Sequence, residues 1–334
     1  MIIQLEKEIG ADELTGIELK LNEINFKSRR VTTQDADYLV CIGKEDFDIR
    51  NIGNLKGVKD IHRVSDDYKL VSKKWRVQES QIDLGDGVSI GNGAFQMMGG
   101  PCSIEGEENI RQTVEQLAKS GVKIMRGGVY KPRSSPYSYR GIGIEGLKLW
   151  HAICQEKGIK IISEIMEEKK LEEMYPYVDI FQIGARNSQN FNLLDAMGSI
   201  DKPVMIKRGM SGTLDELLYS AEYVFSGGNE KVLLCERGIR NYEKTYRNCF
   251  DINAIPILKE KTHLPVIADP SHGIGLRRHV PQIAYASAVA GADGIIVEMH
   301  ACPQKALTDA KQTISFEAFE EMVKKVELLR GVLG

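Results

Sequence analysis

The sequence predicts an α/β protein in two parts: a (β/α)8 barrel over residues 95–334 and, before it, a small βαββαβ unit over residues 1–66. Eight short apolar runs alternate with amphipathic stretches along the larger part. Parallel strands that are buried on both faces have this continuous apolar character. The smaller part alternates polar and apolar residues around a helical stretch, which is typical of an antiparallel unit. Residues 67–94 are expected to form a linker and a hairpin.

The small unit is predicted from six elements, whose order is the ferredoxin-like arrangement. A strand is predicted for "MIIQLEK" and a helix, with acidic residues in its first turn, for "ADELTGIELKLNEINF". Two strands that turn near Asp35 are predicted for "SRRVTTQ" and "DADYLVCIG", a short helix for "DFDIRNIGNLKGV" and a last strand for "KDIHRVS". A basic linker, "DDYKLVSKKWRVQES", leads to a hairpin with an Asp-Gly turn, "SQIDLGDGVSIGNG".

The eight predicted barrel strands are "FQMMGG", "VKIMRGG", "KIISEI", "IFQIGA", "PVMIKRG", "KVLLCERG", "PVIADPSH" and "GIIVEMH". The stretches between them have helical spacing, as in "EENIRQTVEQLAKSG", "EGLKLWHAICQEKG" and "TLDELLYSAEYVFSGG". An open, doubly wound sheet is the alternative architecture. Its dinucleotide-binding form is disfavoured because no GxGxxG motif follows the first strand.

Composition excludes several classes of function. The chain has 334 residues, 42% of them hydrophobic, and a formal net charge of −3, which argues against nucleic acid as the main partner. No apolar run reaches the length of a membrane span, and the start "MIIQLEKEIGADE" lacks the features of a signal peptide. We therefore expect a cytoplasmic protein. None of the six cysteines forms a CxxC pair, which disfavours zinc-ribbon and thioredoxin readings.

Polar residues follow every predicted barrel strand, at the end of the barrel where active sites lie. In order they are Cys102; Arg126; Glu164; Gln182 with Arg186; Lys207 with Arg208; Glu236 with Arg237; Asp269 with His272; and Glu298 with His300. Any one of them could be an ordinary exposed loop residue. Because polar residues follow all eight predicted strands, a functional site at this end of the barrel, its mouth, is favoured.

A cationic group at this mouth predicts an anionic ligand. Its members are Arg126, Lys131, Arg133, Arg186, Lys207 and Arg237. Arginine matches phosphate and carboxylate with paired hydrogen bonds, so we expect at least one phosphorylated substrate. The loop "KPRSSPYSYRG" adds the hydroxyls of Ser134 and Ser135, although it could also be a plain Pro-rich surface loop. Lys207 could form a Schiff base instead, but its cationic neighbours favour anion binding.

A second group, Cys102, His272, Glu298 and Asp309, predicts a metal site. In a closed barrel the first strand neighbours the eighth, so these residues should converge. One thiol, one imidazole and two carboxylates suit a divalent transition metal such as Mn²⁺, Fe²⁺ or Zn²⁺. A packing role, a disulfide or a nucleophilic role are the alternatives for Cys102, and any lone histidine is usually an ordinary polar residue.

Several long motifs resemble those of the 3-deoxy-7-phosphoheptulonate (DAHP) synthase family, in its single-barrel type I beta branch. They are "GPCSIEG", "RGGVYKPRSSPYSYRG", "QIGARNSQN", "KRGM", "CERGIR", "DPSHGIG", and "GIIVEMH" with "ALTDAKQ", and the resemblance covers residues 70–333. It implies a metal-dependent TIM barrel. The implied reaction is the condensation of phosphoenolpyruvate with erythrose 4-phosphate, the first step of the shikimate pathway and of aromatic amino acid biosynthesis.

The resemblance also implies residue roles. The metal ligands would be Cys102, His272, Glu298 and Asp309, of which Cys102 and His272 also count as catalytic. The implied contacts of phosphoenolpyruvate are Arg126, Lys131, Arg186, Lys207 and Arg237. Those of erythrose 4-phosphate are Arg133 and Ser134, and Lys131 is also the implied acid. Residues 1–66 resemble an ACT-like allosteric domain, with tyrosine or phenylalanine as a possible effector; a packing or oligomerisation module is the alternative. A homotetramer is expected by the same resemblance.

Three other functions remain open: a Kdo8P synthase, a sialic-acid-type synthase and a non-catalytic sugar-phosphate sensor. The related Kdo8P synthase family carries Ala-Asn where this chain has Pro132-Arg133, which favours erythrose 4-phosphate over arabinose 5-phosphate. A sialic-acid-type synthase belongs to the same class. A non-catalytic sugar-phosphate sensor is the alternative from another class, and the intact cationic and metal groups argue against it.

Overall fold

The computed structural model describes residues 1–43, 46–131, 137 and 139–333. The first part contains a four-stranded antiparallel sheet in the order β2-β3-β1-β4. Its elements are β1 (Ile2–Leu5), α1 (Ala11–Glu23), β2 (Lys27–Thr32), β3 (Asp37–Ile42), α2 (Arg50–Gly53) and β4 (Val58–His62). The predicted βαββαβ order is confirmed. Alternate residues Ile3 and Leu5 of β1 are buried with Ile17 and Leu21 of α1, so the helix covers one face of this sheet.

Eight parallel strands close into the predicted barrel. They are β7 (Gln96–Gly100), β8 (Ile124–Gly127), β9 (Lys160–Ile165), β10 (Ile180–Ile183), β11 (Val204–Lys207), β12 (Val232–Glu236), β13 (Val266–Ala268) and β14 (Gly294–Glu298). Closure places Glu298 at the end of β14 opposite Gly100 at the end of β7. This pairing rules out the open-sheet alternative and brings the segment before Cys102 beside Glu298.

Helices surround the barrel. They are α3 (Glu107–Lys119), α4 (Gly143–Gln155), α5 (Leu171–Met174), α6 (Phe191–Gly198), α7 (Leu214–Ser226), α8 (Ala254–Lys261), α9 (Pro270–Ile274), α10 (Val280–Val289) and α11 (Phe316–Leu333). Short 3₁₀ turns lie at Glu168–Lys170, Tyr175–Tyr177, Arg277–His279 and Pro303–Lys305. The start of α7 shows why such segments are helical, since Thr213 and Glu216 form a reciprocal capping box. None of the helices in the described part of the chain is long and apolar enough to cross a membrane.

A hairpin seals the end of the barrel opposite the mouth. Its strands are β5 (Ile82–Asp83) and β6 (Ser89–Ile90), as predicted around an Asp-Gly turn. Ile82, Val88 and Ile90 pack with inward-facing side chains of all eight barrel strands. Burying this apolar surface leaves the opposite end of the barrel for polar chemistry.

The linker before the hairpin is fastened to the barrel. The backbone N–H groups of Leu70 and Val71 donate to the Glu222 carboxylate of α7 at 2.9 and 3.0 Å. The Thr262 hydroxyl donates to the Val71 carbonyl, and the Ser80 N–H donates to the His263 carbonyl at 2.8 Å. These hydrogen bonds hold the linker against the outside of the barrel.

The small unit contacts the barrel through Glu230, which precedes β12 and therefore lies away from the mouth. The buried carboxylate accepts hydrogen bonds from the hydroxyls of Thr33 and Tyr38 and from Arg76. The Glu230 N–H donates to the side chain of Gln34 at 3.0 Å. Apolar contacts accompany these polar ones, since Tyr38 packs edge-on against Trp75 of the linker.

Candidate active site and metal centre

The four predicted metal ligands lie together at the mouth. The ligand atoms of Cys102, Glu298 and Asp309 are all within 4.8 Å of one another. His272 Nε2 lies 3.4 Å from Glu298 Oε1 and 3.9 Å from Asp309 Oδ2. The cluster joins the segment after β7, helix α9, the last residue of β14 and the loop after it, as strand closure predicts.

Asp269 orients His272. Its carboxylate caps α9 by accepting the His272 N–H at 3.0 Å, and its other oxygen lies 2.8 Å from His272 Nδ1. Burial alone would raise the pKa of Asp269, but His272 and Lys207 outweigh it and hold that pKa well below its usual range. An ionised carboxylate can only accept, so Nδ1 carries the proton and Nε2 presents its lone pair to the cluster.

The protonation states of Cys102 and His272 are compatible with the binding of a cation. Burial, followed by the charge of Glu298, raises the pKa of the Cys102 thiol to about 12, and the thiol donates to Asp309 Oδ2 at 3.2 Å. Burial lowers the pKa of His272 and favours its neutral, metal-binding form. The cluster therefore contains two carboxylates, an imidazole lone pair and a thiol that a metal ion would deprotonate.

The spacing also fits one ion. Ligand atoms bound at about 2.0–2.3 Å in a tetrahedral site stand roughly 3–4 Å apart. The 3.2 Å between Cys102 Sγ and Asp309 Oδ2 and the 3.4 Å between His272 Nε2 and Glu298 Oε1 fall in this range. Mixed thiol, imidazole and carboxylate donors suit a divalent transition metal.

Asp309 is held in an unusual backbone conformation. Its φ is +50°, in the left-handed region that non-glycine residues seldom adopt. Its carbonyl accepts the N–H groups of Gln312 and Thr313 at 3.1 and 3.3 Å and the Thr313 hydroxyl at 3.0 Å. Arg277 braces the same loop through bonds to the carbonyls of Ala310 and Lys311. These bonds turn the Asp309 side chain back toward Cys102.

A cationic pocket adjoins the predicted metal ligands. Five of the six predicted anion-binding residues line it, namely Arg126, Lys131, Arg186, Lys207 and Arg237, together with His272 and Asp309. Arg126, Lys207 and Arg237 are buried, whereas Arg186 is exposed. Arg133 and Ser134, and Ser135 of the same loop, lie outside the described residues.

Two of these buried cations, Arg126 and Lys207, pair with carboxylates. Arg126 donates to Glu298 Oε1 at 3.2 Å and to the Pro101 carbonyl at 3.0 Å, while Lys207 pairs with Asp269. Lys131 Nζ donates to the Cys102 carbonyl at 2.9 Å. Within the described ranges, Arg126 Nε is buried without a hydrogen-bond partner. The pocket thus has cationic hydrogen-bond donors beside the predicted metal ligands.

Comparison with known proteins shows the family of this chain. Residues 74–330 match the model of the DAHP synthetase I family. This chain belongs to the DAHP synthetase I family. The phospho-2-dehydro-3-deoxyheptonate aldolase of Thermotoga maritima is 42% identical, over 100% of this chain and 99% of the relative. A 2-dehydro-3-deoxyphosphooctonate aldolase of Syntrophobacter fumaroxidans is 30% identical, over 72% of this chain and 88% of the relative.

Solved structures support the same family. The crystal structure of the Thermotoga maritima DAHP synthase matches with a TM-score of 0.80 and 41% identity, over 99% of this chain and 97% of the relative. A truncated form of 3-deoxy-D-arabino-heptulosonate 7-phosphate synthase from the same organism matches with a TM-score of 0.75 and 44% identity, over 80% of this chain and 98% of that one. The resemblance seen in the motifs is therefore confirmed.

Sequence reasoning missed three residues that this member of the DAHP synthetase I family places around the ligands. Asp269 is predicted at a strand end, but without a role toward His272. Arg247 lines the pocket and contacts Asp309 Oδ1 at 3.3 Å, and Gln312 contacts Glu298. Asp269 had a detectable signal, since an Asp before Pro is a common start of a helix. The other two lie in loops without periodicity.

Proposed function

We propose that the barrel mouth condenses phosphoenolpyruvate with erythrose 4-phosphate to form DAHP and phosphate. The C3 carbon of phosphoenolpyruvate bonds to the aldehyde carbon, water adds at C2, and phosphate leaves C2. Family membership over the whole chain supports DAHP synthase activity. The observation that carries the residue-level proposal is the cationic pocket directly adjoining the Cys102, His272, Glu298 and Asp309 cluster.

The cationic pocket binds and orients the anionic substrate. Arg126, Lys131, Arg186, Lys207 and Arg237 hold the phosphate and carboxylate of phosphoenolpyruvate. A buried guanidinium N–H without a partner costs free energy, so an anion that accepts from Arg126 Nε binds more tightly than one that does not. Arg133 and Ser134 are the proposed contacts of erythrose 4-phosphate.

Cys102, His272, Glu298 and Asp309 hold the metal. When bound there, a divalent ion supplies Lewis-acid chemistry to the aldehyde or to the attacking water. Asp269 keeps the His272 lone pair aimed at the cluster, and Arg126 bridges the ligand Glu298 to the substrate pocket.

Lys131 is the proposed acid that protonates the developing alkoxide. Its Nζ lies in the pocket and contacts the backbone of Cys102. Burial alone would lower the pKa of Lys131, but negative neighbours, Glu164 and Glu298 among them, outweigh it and raise that pKa. The side chain therefore carries a proton at neutral pH and can donate it.

Further features complete the proposal. The ion is Mn²⁺, Fe²⁺ or Zn²⁺, and the enzyme acts in the cytoplasm as a homo-oligomer, a tetramer by family resemblance. Residues 1–66 form an ACT-like regulatory domain that responds to an aromatic amino acid such as tyrosine or phenylalanine. Residues 67–94 form the linker and hairpin, and residues 95–334 form the catalytic barrel. The docking of residues 1–66 through Glu230, away from the mouth, supports a regulatory role.

Phosphate release tests the reaction and the ligands together. The purified protein should release phosphate only when phosphoenolpyruvate, erythrose 4-phosphate and a divalent ion are all present, and EDTA should abolish release. Cys102→Ala and His272→Ala should each lower the rate by more than about 100-fold, because loss of a ligand costs at least as much as loss of its hydrogen-bond partner.

Control experiments test the role of Cys102 and the choice of sugar substrate. Cys154→Ala makes the same change at a buried cysteine of α4 that lies outside the cluster, and it should keep the parent's rate. Arabinose 5-phosphate or N-acetylmannosamine in place of erythrose 4-phosphate should give little phosphate. Preference for either sugar, or near-parent turnover of a folded Cys102→Ala protein, would contradict the proposal.

A further inference from the structure

Gln312 connects the substrate pocket to a metal ligand. Its side chain is buried, with 2% exposure. Its Nε2 donates to Glu298 Oε2 at 2.6 Å, and its Oε1 accepts from Arg247 Nη1 at 2.6 Å. Arginine only donates and an ionised carboxylate only accepts, so these two neighbours leave one possible orientation of the amide.

The two oxygens of Glu298 have different surroundings. Oε1 faces His272 Nε2 at 3.4 Å and Arg126, on the side of the ligand cluster. Oε2 accepts from Gln312 Nε2 at 2.6 Å. The bond to Gln312 therefore sets the rotation of the carboxylate and keeps Oε1 among the other ligand atoms.

The backbone holds Gln312 in place independently of its side chain. The segment after Asp309 runs beside the end of β14, where the Ile314 N–H donates to the Glu298 carbonyl at 2.9 Å and the His300 N–H donates to the Ile314 carbonyl at 3.0 Å. The Gln312 N–H bonds the carbonyl of Asp309 at 3.1 Å. One short loop thus supplies the ligand Asp309 and fixes the second ligand, Glu298.

We infer that Gln312 is a positioning residue of the metal centre, which holds the Glu298 carboxylate in its ligating orientation and ties it to Arg247 of the substrate pocket. This inference rests on the metal site of the proposed function. Only an amide satisfies both neighbours, because a carboxylate at position 312 would repel Glu298 and a thioether would bond neither. Outer-shell partners of this kind typically change metal affinity 10–100-fold.

The experiment measures metal affinity rather than turnover. Apoprotein is titrated with Co²⁺ in competition with a chromophoric chelator, and the cobalt–thiolate absorption reports Cys102. For Gln312→Met, which preserves side-chain length, we expect the dissociation constant to rise about 10–100-fold while the thiolate band persists. Gln312→Glu should weaken binding as well, and Gln312→Asn, which is one methylene too short to reach both partners, should fall between the parent and Gln312→Met.

Thr308→Val is the matched control, since it removes a buried hydrogen bond to Ser103 one residue from Asp309 and leaves Glu298 untouched. It should keep the parent's Co²⁺ affinity, and the apoproteins' unfolding temperatures are measured alongside. Equal affinity of the parent and folded Gln312→Met overturns the inference, as does an equal loss in Thr308→Val. A parent that binds no Co²⁺ overturns the metal site itself, and the inference with it.

Discussion

Gly100 shapes the candidate site without contributing a side chain. It ends β7, two residues before Cys102, with a φ of +154°. A Cβ at this position would lie 2.0 Å from the backbone oxygen of Arg126 on the neighbouring strand. Two strand ends that each deliver a site residue therefore approach so closely that only glycine fits.

Substitution of Gly100 should destabilise the fold more than strain alone explains. Gly100→Ala adds a backbone clash to an unfavourable φ, and we expect it to lower the free energy of unfolding by more than the roughly 1–3 kcal/mol that an unfavourable backbone conformation costs by itself. Gly93→Ala is the control, because Gly93 also has a positive φ but has no atom near its Cβ position. Urea unfolding of both variants measures the difference, and equal losses would show that the close contact relaxes freely.

The sequence predicts the site residues that lie at the ends of strands, but not those that lie in loops. Cys102 and Glu298 follow from the ends of apolar runs whose closure makes them neighbours. Gln312 and Arg247 act through loops that no periodicity describes. Gln312 reaches Glu298 only because its segment pairs with the end of β14, which is a tertiary contact.

At the scale of elements, the linker is the part that sequence reasoning described least well. Its basic residues give no sign of burial, yet Leu70, Val71 and Trp75 are buried. Their burial depends on Glu222 of α7 and on Thr262, both far along the chain. All eight barrel strands, in contrast, were predictable because their apolar runs reflect burial on both faces.

Whether an N-terminally truncated protein folds should therefore depend on whether the deletion ends before or after the linker. Removal of residues 1–66 takes away the bonds of Lys69, Ser72 and Lys74 to residues 64–66. It leaves Glu230 paired with Arg76 and keeps the linker's bonds to Glu222 and Thr262, so the protein should fold and keep condensing activity while losing any effector response. Removal of residues 1–80 also exposes the surface under Trp75 and strips the partners of His263, so it should aggregate or unfold. Soluble yield, circular dichroism and phosphate release distinguish the two.

The contrary results are equally specific. An inactive but folded 1–66 deletion would mean that the small unit contributes to the site. A folded, active 1–80 deletion would mean that the linker contacts are dispensable for the barrel.

At the scale of the whole molecule, His263 lies where the linker and the barrel meet. The ring is completely buried, bonds Ser80 Oγ at 2.8 Å and the Leu70 carbonyl at 2.9 Å, and packs edge-on against Trp75 and Phe225. A carbonyl only accepts, so Nε2 carries the proton and Nδ1 accepts from Ser80. The neutral ring satisfies both linker groups, whereas a protonated ring would lose its bond from Ser80.

This arrangement predicts acid sensitivity of the fold. Burial lowers the pKa of His263 to about 3, below the value near 6.5 of an unfolded chain. The unfolded state therefore binds one more proton between these values, so this stabilisation is complete above pH 6.5 and declines as the pH falls toward 3, by about 1.4 kcal/mol per pH unit. His263→Gln offers the same donor and acceptor without titrating, so its unfolding midpoint should fall less steeply between pH 6.5 and 4.5 than the parent's. The exposed His279→Gln should keep the parent's slope, and identical slopes in parent and His263→Gln would contradict the assignment.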